Sequence, residues 1–197
     1  MNIINLDPKK YYEHLMWEFL KSAAATAKTK DRRYVFQDLV KSRLEHLIPF
    51  DDIREKVMTM IEDTEDISLF LDDENEILEW LSRVLDKDMR THIRIAPNEF
   101  GPCYWIILCY AAGCAKDKLR LNNFKYLVNI MLPKLIPCSQ CSDHWEKHLK
   151  DGPDNSMINS NIEMLRWIYN MKAKVDKSID GNYRAPSFED IASKYLN

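Results

Sequence analysis

The sequence predicts an all-α protein, with a C-terminal bundle of four or five helices and an additional N-terminal helical unit. Glycine and proline together account for only 12 of the 197 residues, which is too few for the many tight turns of a barrel or sandwich. Hydrophobic residues make up 46% and charged residues 30% of the chain, an ordinary globular composition. Apolar residues recur at helical spacing along most of the sequence. We therefore expect helices packed on helices.

The N-terminal half, residues 1–95, is predicted to contain four helices. Asp7 followed by Pro8 has the pattern of an N-cap with proline at the first helical position. A run of apolar residues at helical spacing follows directly. Asp73 and Glu76 form a candidate capping box before another such run. The remaining two helices are expected over Arg33–Leu47 and Asp52–Glu62.

Charge and hydropathy exclude several classes of protein. The formal net charge is −3, so no overall basic field indicates nucleic-acid binding. Residues 51–95 carry fourteen acidic and six basic side chains, and the end of this acidic block suggests a domain boundary before residue 96. The chain contains no run of eighteen apolar residues, and its N-terminus lacks the pattern of a secretory signal. We expect a protein that is neither membrane-bound nor secreted.

The C-terminal half, residues 96–197, is predicted to hold the bundle. Pro133 should bend or end its second helix, and Asp151-Gly152-Pro153 should break its third. Ser187 is a plausible N-cap for the last. In chain order, helices are expected over Glu99–Lys116, over Asn122–Leu135, from Cys138 onwards, over Asn159–Ile179 and over Ser187–Leu196.

All five cysteines lie within 39 residues, from Cys103 to Cys141. Such clustering in a chain without a secretory signal points to redox chemistry or metal binding. The most specific pattern is Pro137-Cys138-x-x-Cys141, where proline lets a helix begin at the first cysteine. A helix N-terminus favours the thiolate, which is the reactive form in thiol–disulfide exchange. The pair could therefore close a small redox-active disulfide.

Two other interpretations of the cysteines remain open. Cys138, Cys141, His144 and His148 offer four metal ligands within eleven residues. On about three turns of one helix they cannot surround an ion unaided, although Cys109 and Cys114 could complete a zinc site. Alternatively, the cysteines could be inert and buried. Either case would make the chain a helical interaction or structural protein rather than an enzyme.

Three segments together resemble the Erv-type FAD-linked sulfhydryl oxidases: Gly101–Cys109, Leu135–Trp145 and Leu165–Val175. That family has a glycine and a tryptophan on its first helix, a Pro-Cys-x-x-Cys about thirty residues later, and then a tryptophan-led helix. The resemblance covers roughly residues 96–180. With its long helical extension, the chain looks most like the sulfhydryl oxidases of baculoviruses and related large DNA viruses of arthropods.

The resemblance implies an FAD cofactor, a catalytic pair of Cys138 and Cys141, and oxidation of thiol-containing protein substrates by molecular oxygen. It further implies a homodimer that acts in the host cell cytoplasm or nucleus and in the virion. In such enzymes the second cysteine faces the flavin and the first exchanges with substrate. The resemblance implies that Trp105, His144, Trp167 and Val175 bind the cofactor, and it puts Cys109 and Lys172 at positions where the family has further FAD contacts.

The sequence departs from the family at several positions. Cys109 stands where a histidine is expected on the first helix, and Lys172-Ala173 stands where a His-Asn pair is expected. No second CxxC is present to act as a shuttle for electrons. The FAD pyrophosphate needs cationic or N–H partners, and we expect Lys172 first, with Lys174, Lys177 and Arg184 as further candidates, to supply them.

Overall fold

The computed structural model describes residues 8–85, 96–151 and 154–196. Within these ranges all regular structure is helical and no strand occurs, which confirms the predicted fold class. A π-helical segment, Leu39–Arg43, joins the second helix to the third, and a 3-10 turn, Ile67–Phe70, precedes the fifth. The N-terminal helices are α1 (Pro8–Thr26), α2 (Lys30–Asp38), α3 (Leu44–Leu47), α4 (Asp51–Glu62) and α5 (Glu74–Val84).

Six further helices follow residue 95. A second π-helical segment, Leu127–Met131, joins the second of these helices to the third. These helices are α6 (Pro97–Cys114), α7 (Lys118–Tyr126), α8 (Leu132–Leu135), α9 (Ser139–Asp151), α10 (Asn161–Ile179) and α11 (Phe188–Tyr195).

Several helix termini follow the local signals. Helix α1 begins at Pro8, whereas the predicted cap Asp7 lies outside the described residues. The carboxylate of Asp73 accepts a hydrogen bond from the backbone N–H of Asn75 at 2.8 Å, and Ser187 caps α11. Helix α9 ends at Asp151, and Gly152 and Pro153 of the predicted break lie outside the described residues. Side chains that accept from orphan N–H groups therefore place these boundaries.

Pro133 is accommodated without ending the helix. In the preceding π-helical segment, the N–H of Leu132 donates to the carbonyl of Leu127, five residues back. In the same pattern the Val128 carbonyl would accept from the N–H of residue 133, but proline has no N–H. The Val128 carbonyl therefore lacks that backbone partner and instead accepts from the indole Nε1 of Trp145 at 2.8 Å. A helix irregularity thus creates the contact that anchors α9.

The two halves of the chain share one hydrophobic core. Helix α1 packs along α6, where the rings of Phe19 and Tyr104 lie 4.7 Å apart. The thiol of Cys103 donates to the Leu15 carbonyl at 2.8 Å, and the hydroxyl of Tyr104 donates to the Leu135 carbonyl at 2.9 Å. The expected packing of the N-terminal helices on the bundle is confirmed. Among the described helices, none is both long enough and apolar enough to cross a membrane.

Candidate functional site

The structure joins Cys138 and Cys141 in a disulfide, with Cα atoms 5.1 Å apart. Both residues are half-buried. The carbonyl of Cys138 accepts from the N–H of Ser142 at 2.9 Å, and its Sγ accepts from the N–H of Cys141 at 3.2 Å. Cys138 thus takes the place of an N-cap residue, and the motif starts a helix as predicted.

This placement gives the sulfurs a defined electrostatic environment. The first-turn N–H groups of a helix carry partial positive charge and favour a nearby anion. An opened disulfide would leave the Cys138 sulfur beside such a donor, which stabilises its thiolate. The geometry therefore suits cycles of thiol–disulfide exchange.

Two hydrogen bonds fix α9 and with it the disulfide. The Ser142 hydroxyl, directly after the motif, donates to the carbonyl of Pro133. The Trp145 indole donates to Val128 one turn later. Both acceptors lie in or next to the π-helical segment, so the irregular turn before α8 determines where the cysteines sit.

An aromatic cluster extends from the disulfide into the bundle. Trp145 lies four residues after Cys141 and therefore on the same side of α9. Its ring centroid is 5.7 Å from that of Trp105 on α6 and 6.5 Å from that of Trp167 on α10. The structure thus brings together two predicted cofactor-binding tryptophans through a third that was not assigned to the site. The i, i+4 spacing from Cys141 was the signal that could have found it.

A charged cluster adjoins Trp105 on its other side. The ammonium of Lys172 lies 5.9 Å from the ring centroids of Trp105 and Tyr183. It also pairs with the carboxylate of Asp176 at 2.5 Å. Sequence reasoning missed Tyr183, because a loop residue beyond α10 gives no local sign of folding back. The result is a cation held between two aromatic rings.

Cys109 belongs to the same neighbourhood but is not reactive there. Burial raises the pKa of its thiol to about 12, and the nearby ammonium groups of Lys172 and Lys194 only partly oppose the rise. The pKa of Cys114 is likewise raised by burial. Neither residue, nor Cys103, is joined in a disulfide. A protonated, buried thiol is a poor nucleophile.

Three other predicted residues, His144, Val175 and Lys177, are not among the contacts described above. His144 is exposed on α9, next to the buried Trp145. Val175 is half-buried and Lys177 is exposed, both near the C-terminal end of α10. The roles of all three in binding FAD stay predictions.

A cavity of about 470 Å³ opens on the Trp167 side of the aromatic cluster. Its polar groups largely satisfy one another: the amides of Asn129 and Asn155 exchange two hydrogen bonds of 2.9 Å, and the Lys125 ammonium donates to the Ser156 carbonyl at 2.8 Å. Of the predicted site residues, Trp167 lines it. The other lining residues are Asn122, Lys125, Asn129, Leu149, Asp154, Asn155 and Ser156.

The residues beside the disulfide fit a flavin nucleotide in their chemistry. An isoalloxazine ring needs apolar or aromatic walls, which Trp105 and Trp145 can supply. A cation can tune the electronics of the ring or pair with the pyrophosphate, and the side chain of Lys172, which pairs with Asp176, is 38% exposed. In the described ranges no three His, Cys, Asp or Glu side chains converge in a way that could hold a metal ion.

Comparison of the chain with protein-family models, with curated proteins and with solved structures found no match.

Proposed function

We propose that this protein is an FAD-dependent thiol oxidase, which forms disulfides in dithiol or protein substrates and reduces oxygen to hydrogen peroxide. One observation carries the proposal: a half-buried Cys138–Cys141 disulfide at the start of α9, one helical turn from the Trp145 cluster. The Lys172 cation on the far side of Trp105 supports it.

The disulfide is better suited to redox cycling than to holding the fold together. A disulfide stabilises mainly by closing a loop in the unfolded chain, and the benefit grows with loop length. The Cys138–Cys141 bond spans a sequence separation of three, so its entropic contribution is about 2 kcal/mol. The hydrogen bonds of Ser142 and Trp145 position α9 independently of it. The bond can therefore open while α9 stays in place.

The proposed reaction begins with a substrate thiolate that attacks Sγ of Cys138. The Cys138–Cys141 bond breaks, its electron pair leaves on Cys141, and a mixed disulfide joins the substrate to Cys138. A second substrate thiolate then attacks the substrate sulfur and releases Cys138 as a thiolate. Two substrate thiols have lost two electrons and two protons, and the electrons reside in the Cys138/Cys141 dithiol. The chemistry that FAD supplies when bound is acceptance of these electrons and their delivery to oxygen.

The other residues of the site prepare it for this exchange. The Cys141 N–H stabilises negative charge on the sulfur of Cys138. The packed rings of Trp105 and Trp145, the latter one turn after Cys141 on α9, offer an apolar surface for a flavin ring. The ion pair with Asp176 holds the Lys172 ammonium in place. Each group is positioned by a helix, which gives the site defined geometry.

The resemblance to the Erv-type oxidases of baculoviruses and related viruses is part of this proposal. A homodimer and action in the host cell cytoplasm or nucleus, or in the virion, belong to it as well. They rest on the motifs from Gly101 to Val175 rather than on the geometry of the site.

The decisive experiment uses the purified full chain. We expect a yellow protein with a flavin absorbance spectrum that consumes oxygen when given a dithiol. Cys138→Ser and Cys141→Ser should each abolish turnover, whereas the matched control Cys114→Ser should retain it. Colourless protein that takes up no FAD and consumes no oxygen would refute the proposal. Stoichiometric zinc in place of flavin would favour the helical interaction protein.

A further inference from the structure

The last turn of helix α11 packs directly against Gly113 on one face of α6. The backbone carbonyl oxygen of Tyr195 lies so close to Gly113 that a Cβ there would overlap it. By contrast, a Cβ at Gly101, on the same helix, would meet no atom of the described chain within 4 Å. Only glycine therefore allows the last turn of α11 to sit where it does.

The covered face of α6 carries Cys109, one turn before Gly113. The Tyr195 ring packs edge-on against Tyr110 with centroids 4.8 Å apart. Lys194 and Tyr195 are both close enough to Cys109 to interact electrostatically with its thiol. Cys109 is only 6% exposed. The C-terminal end of α11 is thus part of what shields this thiol.

The N-terminal end of α11 is held by a separate set of contacts. The Arg166 guanidinium lies 3.8 Å from the ring centroid of Phe188, and the Tyr169 ring lies 5.6 Å from it. The Tyr169 hydroxyl also donates to the Pro186 carbonyl at 2.7 Å. Of the eight residues of α11, only Phe188 and Tyr195 are buried, and Ile191 and Ala192 pack half-buried against the core. A short element with two buried residues belongs to the low-stability part of a fold.

We propose that α11 is a removable cover over Cys109, which opens as a unit and closes on Gly113 while the rest of the fold stays intact. Opening uncovers the part of α6 that carries Cys109 and Gly113. Water then reaches the Cys109 thiol, and the Lys172 ammonium, no longer outweighed by burial, favours the thiolate. The cover thus decides whether this cysteine is inert or nucleophilic. The inference does not depend on the proposed oxidase activity.

The test compares Gly113→Ala with the matched control Gly101→Ala in the full-length protein. Each variant is alkylated with N-ethylmaleimide, and tandem mass spectrometry locates the label among the cysteines. Because the Gly113→Ala methyl group must displace α11, we expect Cys109 to be labelled about tenfold faster or more than in the wild type. Gly101→Ala should label at the wild-type rate. Cys103, buried between α1 and α6, reports general unfolding and should stay unlabelled.

A second variant shows whether the helix moves as a unit. Phe188→Ala removes the contacts with Arg166 and Tyr169, about 10 Å along α11 from Tyr195 at 1.5 Å per residue. We expect faster labelling of Cys109 in this variant too. If Gly113→Ala does not fold, Phe188→Ala alone tests the proposal. Wild-type labelling of Cys109 in the folded variants would overturn the proposal. A parallel rise at Cys103 would also overturn it, because Cys109 would then be reached only through general unfolding.

Discussion

Replacing Trp145 by phenylalanine should lower the free energy of unfolding by more than the loss of ring area alone suggests. The variant keeps an aromatic ring between Trp105 and Trp167 but removes the indole N–H that donates to Val128. The Val128 carbonyl has no substitute donor, because the residue that would supply one is Pro133. Leaving a buried acceptor unsatisfied costs about 1–3 kcal/mol. With the smaller ring included, we expect a loss of about 2–3 kcal/mol in the free energy of unfolding.

The assay is urea denaturation followed by far-UV circular dichroism. For a slope of about 2 kcal/mol per molar urea, the expected loss lowers the midpoint by about 1 M or slightly more. The matched control is Trp105→Phe, which makes the same chemical change at a half-buried position and should cost less than about 1 kcal/mol. If the two variants agree within about 0.5 kcal/mol, the account of Val128 as an orphaned carbonyl is wrong.

Three further predictions concern the candidate site. In Cys138→Ser the remaining Cys141 thiolate should give the flavin-loaded protein a long-wavelength charge-transfer band that fades on acidification. In Cys141→Ser the band should be absent. A band seen only in Cys141→Ser would mean that Cys138 faces the flavin and Cys141 exchanges with substrate. Lys172→Ala should release flavin more readily than Lys174→Ala, whose parent side chain is exposed, as measured by flavin occupancy after dialysis; full occupancy in both variants would refute a role for either lysine. Burial raises the pKa of Cys109 from 9.0 to about 12. Between these pH values the thiol ionises in the unfolded chain but not in the folded one, so the free energy of unfolding falls as the pH rises from about 9 to about 12. Cys109→Ala should remove up to about 1.4 kcal/mol of the loss between pH 8 and 10, read from urea midpoints, and an identical pH profile in both proteins would contradict it.

Features that depend on near neighbours could be predicted from the sequence. Pro8 and Ser187 indicate helix starts because proline and side-chain caps act within one turn. Pro137 and Cys138 likewise indicate the start of α9, because the requirements of an N-cap are local. The cysteine pair of the candidate site can therefore be identified from local sequence alone.

The rest depends on contacts that no local pattern contains. The sequence shows that Pro133 lacks an N–H, but not that Trp145 from the next helix replaces it. It shows a lysine at 172, but not that Tyr183 folds back over its ammonium. Gly113 looks like any small helix residue until the Tyr195 carbonyl is seen against it. In each case the partner comes from another element of the fold, so periodicity and spacing could not identify it.

The shared core between α1 and α6 has a thermodynamic consequence for the whole chain. Since the Phe19 ring packs on Tyr104 and the buried side chains of both halves form one core, neither half can unfold without exposing apolar surface of the other. We therefore expect one cooperative transition rather than two. The fluorescence of Trp80, from the N-terminal helices, and that of the C-terminal indoles should change at the same temperature, so a heat-labile N-terminal mutation would also unfold the helices around the Cys138–Cys141 disulfide.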